Sequence, residues 1–440
     1  MSRICMIGTG YVGLVSGACL ADFGHEVWCV DINEQRIADL HAGKMPIYEP
    51  GLDRLVAKGV DNDRLFFTTS LAEAMERTDT IFIAVQTPMS DSGEADLTYV
   101  VKVAEEIGRL MKKPYVIVTK STVPVGTSRK VKQAVSAAQP KPIPFDMASN
   151  PEFLREGSSI EDFMRPDRVV IGTESENAEK VMREIYRPLY LLETPIVHGS
   201  IESAELIKYA SNAFLAVKIS YINEISQLAD RVGADVSLVA RAMGLDKRIG
   251  PKFLHAGLGF GGSCLPKDTN AIVHIAGEAG GDMSIVRAAI AVNAALPDVA
   301  MDKAREMLPD LKGRTVALLG LSFKPNTDDI RDAPARPLVR LLQEAGAELR
   351  VHDPVAMDNF RGIHPELMYC DGPYHAIEGT DLTMLLTEWN EYRQLDLPRI
   401  AGLMAGRRFL DCRNVYNGEM MAEHDIDYRS FGRPGGGSST

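Results

Sequence analysis

Between residues 3 and 31 the chain runs RICMI, GTGYVG, LVSGACLADFGH, EVWCVD: an apolar run, a glycine turn, an amphipathic stretch and a second apolar run ending in an acid. About thirty residues in that order is the length of one strand–helix–strand unit. Gly8 and Gly10 permit a tight turn and the close approach of a pyrophosphate, Gly13 lets the following helix pack on the strand, and the helix N-terminus attracts the phosphate charge. Asp31, at the end of the second run, completes a dinucleotide-binding pattern with Tyr11 and Val12 inside its turn. An acid there accepts from ribose hydroxyls and repels a 2′-phosphate, which favours NAD over NADP. Arg36, five residues on, either weakens that preference or stacks on the adenine.

Further apolar runs at 80–85, 115–121, 147–150 and 168–172 alternate with helical segments, which predicts a parallel sheet covered by helices on both faces. From Ile201 the pattern changes. Residues 202–232 contain neither Gly nor Pro, and as one helix would span roughly 46 Å at 1.5 Å per residue. The stretch is apolar on nearly all sides, which predicts burial along most of its length and a role in linking domains or pairing subunits. A third section, from Arg314, echoes the first: RTVALLGLSF, LVRLLQEAGAE, LRVHDP and GTDLTMLLTEW follow the same order and spacing. The fold expected is α/β, with two Rossmann-like doubly wound parallel-sheet domains (1–200 and 301–430) joined by a helical domain with one long central helix (201–300). A disordered tail is expected over 431–440.

At 440 residues the chain is too long for one ordinary core. A formal charge of −12 argues against attraction to nucleic acid or anionic membrane, so an anionic ligand must be held by locally placed donors. The N-terminus lacks the basic and apolar regions of a signal peptide and no apolar stretch reaches membrane-spanning length, so a cytoplasmic location is expected. The cysteines at 5, 19, 29, 264, 370 and 412 show no metal-ligand spacing. Cys5, Cys19 and Cys29 sit in apolar runs and read as small core residues.

Cys264 differs. It follows Gly259, Gly261 and Gly262 in GFGGSCLPKD, and LPKD begins a helix with Pro266 in its first turn. A thiol at a helix start beside Lys267 is expected to have a lowered pKa, glycines before it would admit a substrate close to the backbone, and Asp268 could orient a water or hold a proton. Lys208 and Asn212 share a helix face; the lysine either meets an anion or strong acceptor, or snorkels at a subunit surface. Lys324 and Arg331, in SFKPNTDDIRD, suit a phosphate or form a solvated charge run.

Taken together, GTGYVG, YEPGL, VQTP, KSTVPVGT, NPEFLREG, ELIKYASNAF, RIGPKF, GFGGSCLPKD and GLSFKPNTDDIR, in this order over residues 1 to about 417, resemble the nucleotide-sugar dehydrogenase family, which contains UDP-glucose, GDP-mannose and UDP-N-acetylmannosamine dehydrogenases. The resemblance implies NAD-dependent four-electron oxidation of a sugar C6 alcohol to a carboxylate, with UDP-glucose the favoured substrate. It makes Cys264 the nucleophile that carries a thiohemiacetal and then a thioester, Glu152 the base for hydrolysis, Lys208 the stabiliser of the oxyanion, and Thr122, Asn212 and Asp268 the residues that place the water. It assigns Asp31, Arg36, Thr87, Thr122, Glu156, Lys267 and Arg331 to NAD. To the sugar nucleotide it assigns Glu152, Phe153, Leu154, Arg155, Lys208, Asn212, Phe253, Leu254, Gly257, Gly261 and Lys324, with Arg248 reaching into a neighbouring subunit's site in at least a homodimer. Gln86, and Phe253 with Leu254, depart from residues common in the family. Two other classes compete: a two-electron hydroxyacid dehydrogenase, which needs neither the cysteine nor the third section, and a non-enzymatic NAD-binding regulator.

Overall fold

Along β1 (Arg3–Ile7), Ile4 and Met6 face one way and Cys5 and Ile7 the other, and all four are buried. A strand buried on both faces needs cover on both, which a doubly wound arrangement supplies. A computed structural model describes residues 1–90 and 93–434. It divides into two units, Met1–Ser211 with His274–Gly280, and Asn212–Val273 with the chain from Gly281 onward.

In the first unit, β1 is joined by β2 (Glu26–Val30), β3 (Leu65–Thr68), β4 (Thr80–Ile83), β5 (Tyr115–Thr119), β6 (Phe145–Ser149), β7 (Val169–Thr173) and β8 (Ile196–Gly199) in the spatial order β3-β2-β1-β4-β5-β6-β7-β8. Pairing is parallel except between β6 and β7, where Ala148 faces Thr173 and Ser149 faces Gly172 in an antiparallel register. The all-parallel expectation therefore fails at one pair, because apolar alternation fixes which face a residue occupies and not which way its strand runs. The reversal has a use: the segment from Asn150 to Arg168 leaves and re-enters the sheet at the end where β1, β4 and β5 terminate, the edge at which such sheets present ligand contacts.

The second unit carries β9 (Thr315–Leu319), β10 (Glu348–His352), β11 (Met368–Tyr369), β12 (Leu382–Leu385), β13 (Arg408–Asp411) and β14 (Asp427–Ser430), ordered β11-β10-β9-β12-β13-β14 and parallel throughout. That order repeats the first six strands of the larger sheet, so the echo from Arg314 is an echo of topology. Here too the two faces are separately covered: Val316 and Leu318 lie in one apolar cluster, Ala317 and Leu319 in another.

The long helix runs Ile201–Val232 without a break. It is not buried all round: Phe214, Tyr221 and Leu228, seven residues apart, are 64%, 47% and 54% exposed. The helix Ser284–Met307 is long and apolar enough by composition to span a membrane, contrary to the expectation that no stretch reaches that length. It contains Pro297, and its Ala300, Met301, Ala304 and Met307 belong to the core of the second unit. At the far end, ordered chain continues past residue 431, where a tail was expected to start. Phe431 is buried, Gly432 N–H donates to Asp230 at 3.0 Å, and the Arg433 guanidinium donates to the Tyr416 carbonyl at 2.7 Å. The remainder of that expected tail, 435–440, lies outside the described residues.

Candidate active site

The turn after β1 has the geometry its glycines predict. Gly8 sits at φ +103°, its N–H donates to the Val30 carbonyl at 2.7 Å, and an added Cβ would lie 2.7 Å from the Ala84 carbonyl oxygen. A Cβ at Gly13 would come within 1.9 Å of the Gly8 oxygen, which fixes glycine there for packing. Gly10 faces open space, with nothing within 4 Å of an added Cβ, and it opens the helix Tyr11–Asp22 with no side-chain cap and no acid in the first turn. A helix start left bare in this way fits a pyrophosphate.

Asp31 accepts from the Thr9 N–H at 2.9 Å, the Thr9 hydroxyl at 2.7 Å and the Asn33 N–H at 3.0 Å, and Arg36 pairs with it at 3.1 Å. Burial raises its pKa, but these donors outweigh that and hold the carboxyl below its ordinary range. Arg36 is thus engaged with the acid that would bind the ribose. Val12 packs against the core of this unit, and the Thr87 hydroxyl donates to the Thr122 carbonyl at 2.9 Å, tying the loops after β4 and β5 together.

A residue given no role by sequence ties the turn to the Asn150–Arg168 segment. Glu49, buried in the YEPGL motif, accepts from the Tyr11 hydroxyl, from Gly157 N–H at 2.6 Å and from Ser159 N–H at 2.8 Å. Its signal was an acid inside an otherwise turn-like motif, too common to single out.

Glu152 and Lys208 are both buried, with Nζ 3.1 Å from Oε1. Lys208 therefore meets an acid in the interior and does not snorkel. Glu152 also accepts from the Leu154 N–H at 2.5 Å. Burial raises the Glu152 pKa, but Lys208, the Leu154 N–H and a second buried lysine, Lys120, together hold it below its ordinary range. Phe153 lies under Arg168, whose guanidinium carbon is 3.5 Å from the ring centroid, and Lys208 is 5.3 Å from the same ring. Of the neighbouring residues assigned to substrate, Leu154 packs against the core and Arg155 pairs with Asp162 at 2.5 Å; Glu156 is buried.

In the second unit Cys264 is half-buried, the only cysteine among the described residues that is not buried. Burial pushes the pKa values of the other five up, Cys29 to about 12. Its carbonyl accepts from the Asp268 N–H at 2.8 Å, so the thiol stands at the start of the helix Leu265–Glu278. Asp268 is buried and accepts from the Asn212 amide at 2.6 Å and from Lys267 at 2.6 Å. Lys267 and Asp268 are thus one ion pair.

The glycines before Cys264 do something other than leave room. An added Cβ at Gly261 would lie 2.2 Å from the Asp332 carbonyl oxygen, one at Gly262 2.6 Å from the Phe323 ring, one at Gly259 2.1 Å from the Asn293 amide oxygen and one at Gly257 2.4 Å from the Cys412 carbonyl oxygen. A side chain at Gly257, Gly259, Gly261 or Gly262 would therefore collide with protein, which leaves only the backbone of these residues for a ligand. The loop needs glycine because other segments press against it. Asn293, missed by sequence reasoning, holds it further by bonding both the N–H and the carbonyl of Phe260, at 2.8 and 3.0 Å.

Phe253 adopts φ +67°, costly for a bulky residue, and Leu254 is buried with Ile222, Ala229 and Val236. The Leu254 side chain is therefore a core contact, and only its backbone remains for a ligand. Arg248 is exposed and pairs with Asp246 at 2.6 Å; Arg331 pairs with Asp329 at 2.7 Å; the Lys324 ammonium is 5.3 Å from the Phe323 ring centroid.

Three family models match in succession: the NAD binding domain of the UDP-glucose/GDP-mannose dehydrogenase family over residues 2–190, its central domain over 202–295 and its UDP binding domain over 317–418. The chain is 48% identical over 439 residues to a UDP-glucose 6-dehydrogenase of Rhizobium meliloti, covering 98% of this chain and 100% of the relative, and 47% identical to UDP-glucose 6-dehydrogenase TuaD of Bacillus subtilis, covering 99% and 94%. Its structure matches that of a UDP-glucose dehydrogenase from Pyrobaculum islandicum with a TM-score of 0.89 at 42% identity, covering 94% and 95% of the two chains. The bare glycine turn with its acid, the buried Glu152–Lys208 pair and the half-buried thiol thus lie in a chain that belongs to the UDP-glucose/GDP-mannose dehydrogenase family, oxidoreductases with an NAD binding and a UDP binding domain.

Proposed function

We propose that this chain oxidises the C6 alcohol of UDP-glucose to the carboxylate of UDP-glucuronate, reducing two NAD per turnover. The observation that carries the reading is Cys264, half-buried at a helix start four residues before the buried Asp268. The alcohol first loses a hydride to NAD and a proton to solvent. The Cys264 thiol then adds to the aldehyde, giving a thiohemiacetal. Loss of a second hydride to a second NAD and of a proton leaves a thioester, and water cleaves its C–S bond to give the carboxylate and the free thiol.

Lys208, desolvated beside Glu152, suits the stabilisation of an oxyanion, and Glu152, held as a carboxylate, suits deprotonation of the water. Thr122, Asn212 and Asp268 would place that water. Gly8, Gly10, Gly13, Asp31, Arg36, Thr87, Glu156, Lys267 and Arg331 would serve NAD, and Phe153, Arg155, Phe253, Gly257, Gly261 and Lys324 the sugar nucleotide. The exposed Phe214, Tyr221 and Leu228 support a homodimer paired through the long helix, with the exposed Arg248 reaching the partner's substrate. Six free cysteines fit a reducing compartment and hence the cytoplasm.

Initial rates of NADH formation with UDP-glucose, GDP-mannose and UDP-N-acetylmannosamine test the substrate. Turnover of UDP-glucose at least about tenfold above the others is expected. Turnover of GDP-mannose alone would move the chain to the sister activity.

A further inference from the structure

Sequence gave Lys120 no role, yet it is one of the most completely buried charges in the molecule. It directly follows β5, every residue of which is buried, and its own side chain is buried with it. Its ammonium donates to the Asn150 side-chain oxygen at 3.2 Å and to the Tyr186 hydroxyl at 3.4 Å, and lies 5.8 Å from the centre of the Phe163 ring. Asn150 occupies the corresponding position after β6: Thr119 and Ser149 are register partners, and the Asn150 N–H donates to the Thr119 carbonyl at 2.9 Å. The Asn150 amide also accepts from the Tyr186 hydroxyl at 2.6 Å and donates to the Val170 carbonyl at 2.8 Å. Thr122 and Glu152 each come two residues beyond this joint.

We infer that Lys120 is a positioning residue: with Asn150 and Tyr186 it locks the loops after β5 and β6, so that Thr122 and Glu152 keep their places. The inference rests on the reading of Glu152 as the hydrolytic base. A lysine placed only for packing is hard to account for, because burying an ammonium is costly and Met would fill the same volume. The charged and titratable groups acting on it are Glu152 on the loop after β6, Lys208 on the long helix, Tyr186 after the helix Glu176–Ile185 and Cys19 on the helix Tyr11–Asp22. Burial pushes the Lys120 pKa down to about 8; Glu152 acts in the opposite direction and Lys208 in the same. Turnover in the wild type should therefore decline as pH rises through about 8.

The test is Lys120→Met, with Tyr186→Phe as a milder variant, assayed at steady state, in the pre-steady state and across pH. For K120M the expected result is a kcat about tenfold lower with KM for UDP-glucose nearly unchanged. A rapid burst of two NADH per active site should precede slow thioester hydrolysis. The acid limb of the kcat profile should move up by about half a pH unit, and the decline near pH 8 should disappear. Thermal stability at or above wild type would accompany these losses, which a merely structural lysine does not predict. Wild-type kcat and pH profile in K120M, or a raised KM with kcat intact, overturns the inference. Should K120M fail to fold, Y186F decides: about a threefold loss of kcat with a burst supports the lock, and wild-type kinetics overturn it. Wild-type protein that forms no NADH from any sugar nucleotide would instead overturn the functional reading, and this inference with it.

Discussion

The two Rossmann-like sheets begin alike and then part. In each, the first strand ends at a glycine of positive φ, Gly8 at +103° and Gly320 at +101°, whose N–H donates to the carbonyl ending the next strand, Val30 at 2.7 Å and His352 at 2.8 Å. In each, the acid just beyond that strand accepts from the residue after the glycine, Thr9 to Asp31 at 2.9 Å and Leu321 to Asp353 at 2.8 Å. After that, the first turn stays open: Gly10 faces empty space, a helix starts at Tyr11, and the Asp31 side chain keeps 10% exposure. The second turn is closed. Ser322 and Phe323 follow Gly320, the next helix waits until Ala335, and Asp353 is fully buried, accepting from Leu321, Ser322, Val355, Ala356 and the Trp389 indole. The same backbone device is used once beside a bare helix start and once as a brace, and because protein donors reach both acids, the difference lies in how fully each is enclosed, Asp31 in part and Asp353 wholly.

The largest effect expected from breaking this contrast is on stability. Asp353→Ala leaves several buried donors unsatisfied and should cost on the order of 4 kcal/mol. Asp31→Ala should cost less than about 2 kcal/mol while weakening NAD binding about tenfold. Denaturant midpoints together with NAD titrations separate the two, and equal stability losses would refute the division between binding and bracing.

Next in size are the glycines. An added Cβ at Gly320 would lie 2.4 Å from the Thr387 Cβ, so Gly320→Ala should destabilise by about 3 kcal/mol, whereas Gly10→Ala should cost under about 1 kcal/mol and act on NAD affinity instead. A Gly10→Ala variant that binds NAD like the wild type would remove the pyrophosphate from that turn.

The smallest effect concerns pH. Because the folded Asp31 pKa lies below its ordinary value, its contribution to stability is fully present above the ordinary carboxylate range and is lost as pH falls through the lower folded value. The stability difference between wild type and Asp31→Asn should be constant from neutral pH down to about pH 4 and shrink below it. A difference that grows on acidification would mean that the pKa is raised.

How much of this was legible in the sequence follows from what kind of signal each feature leaves. The turn at Gly8, the acid at Asp31 and the repeat from Arg314 are local patterns, and all are in the structure. The antiparallel entry of β7 is not local, and neither are β3 and β8, four-residue strands whose burial alternates or is partial. Cys264 at a helix start was readable, but the purpose of its glycines was not, because a close approach by distant backbone and a close approach by substrate leave the same residue behind. Lys120 and Glu49 were invisible for a related reason: a single charge after a strand or in a turn reads as solvated until the partners that bury it are known.

The central claim is that Cys264 holds the carbon between two oxidations. Counting NADH formed per UDP-glucose consumed, for wild type and for Cys264→Ala, tests it most directly. Two NADH and one UDP-glucuronate per sugar are expected from the wild type, with UDP-glucuronate formation by the variant reduced by at least about a thousandfold. A ratio of one with free aldehyde as product, or undiminished formation of UDP-glucuronate by the variant, would contradict the covalent route.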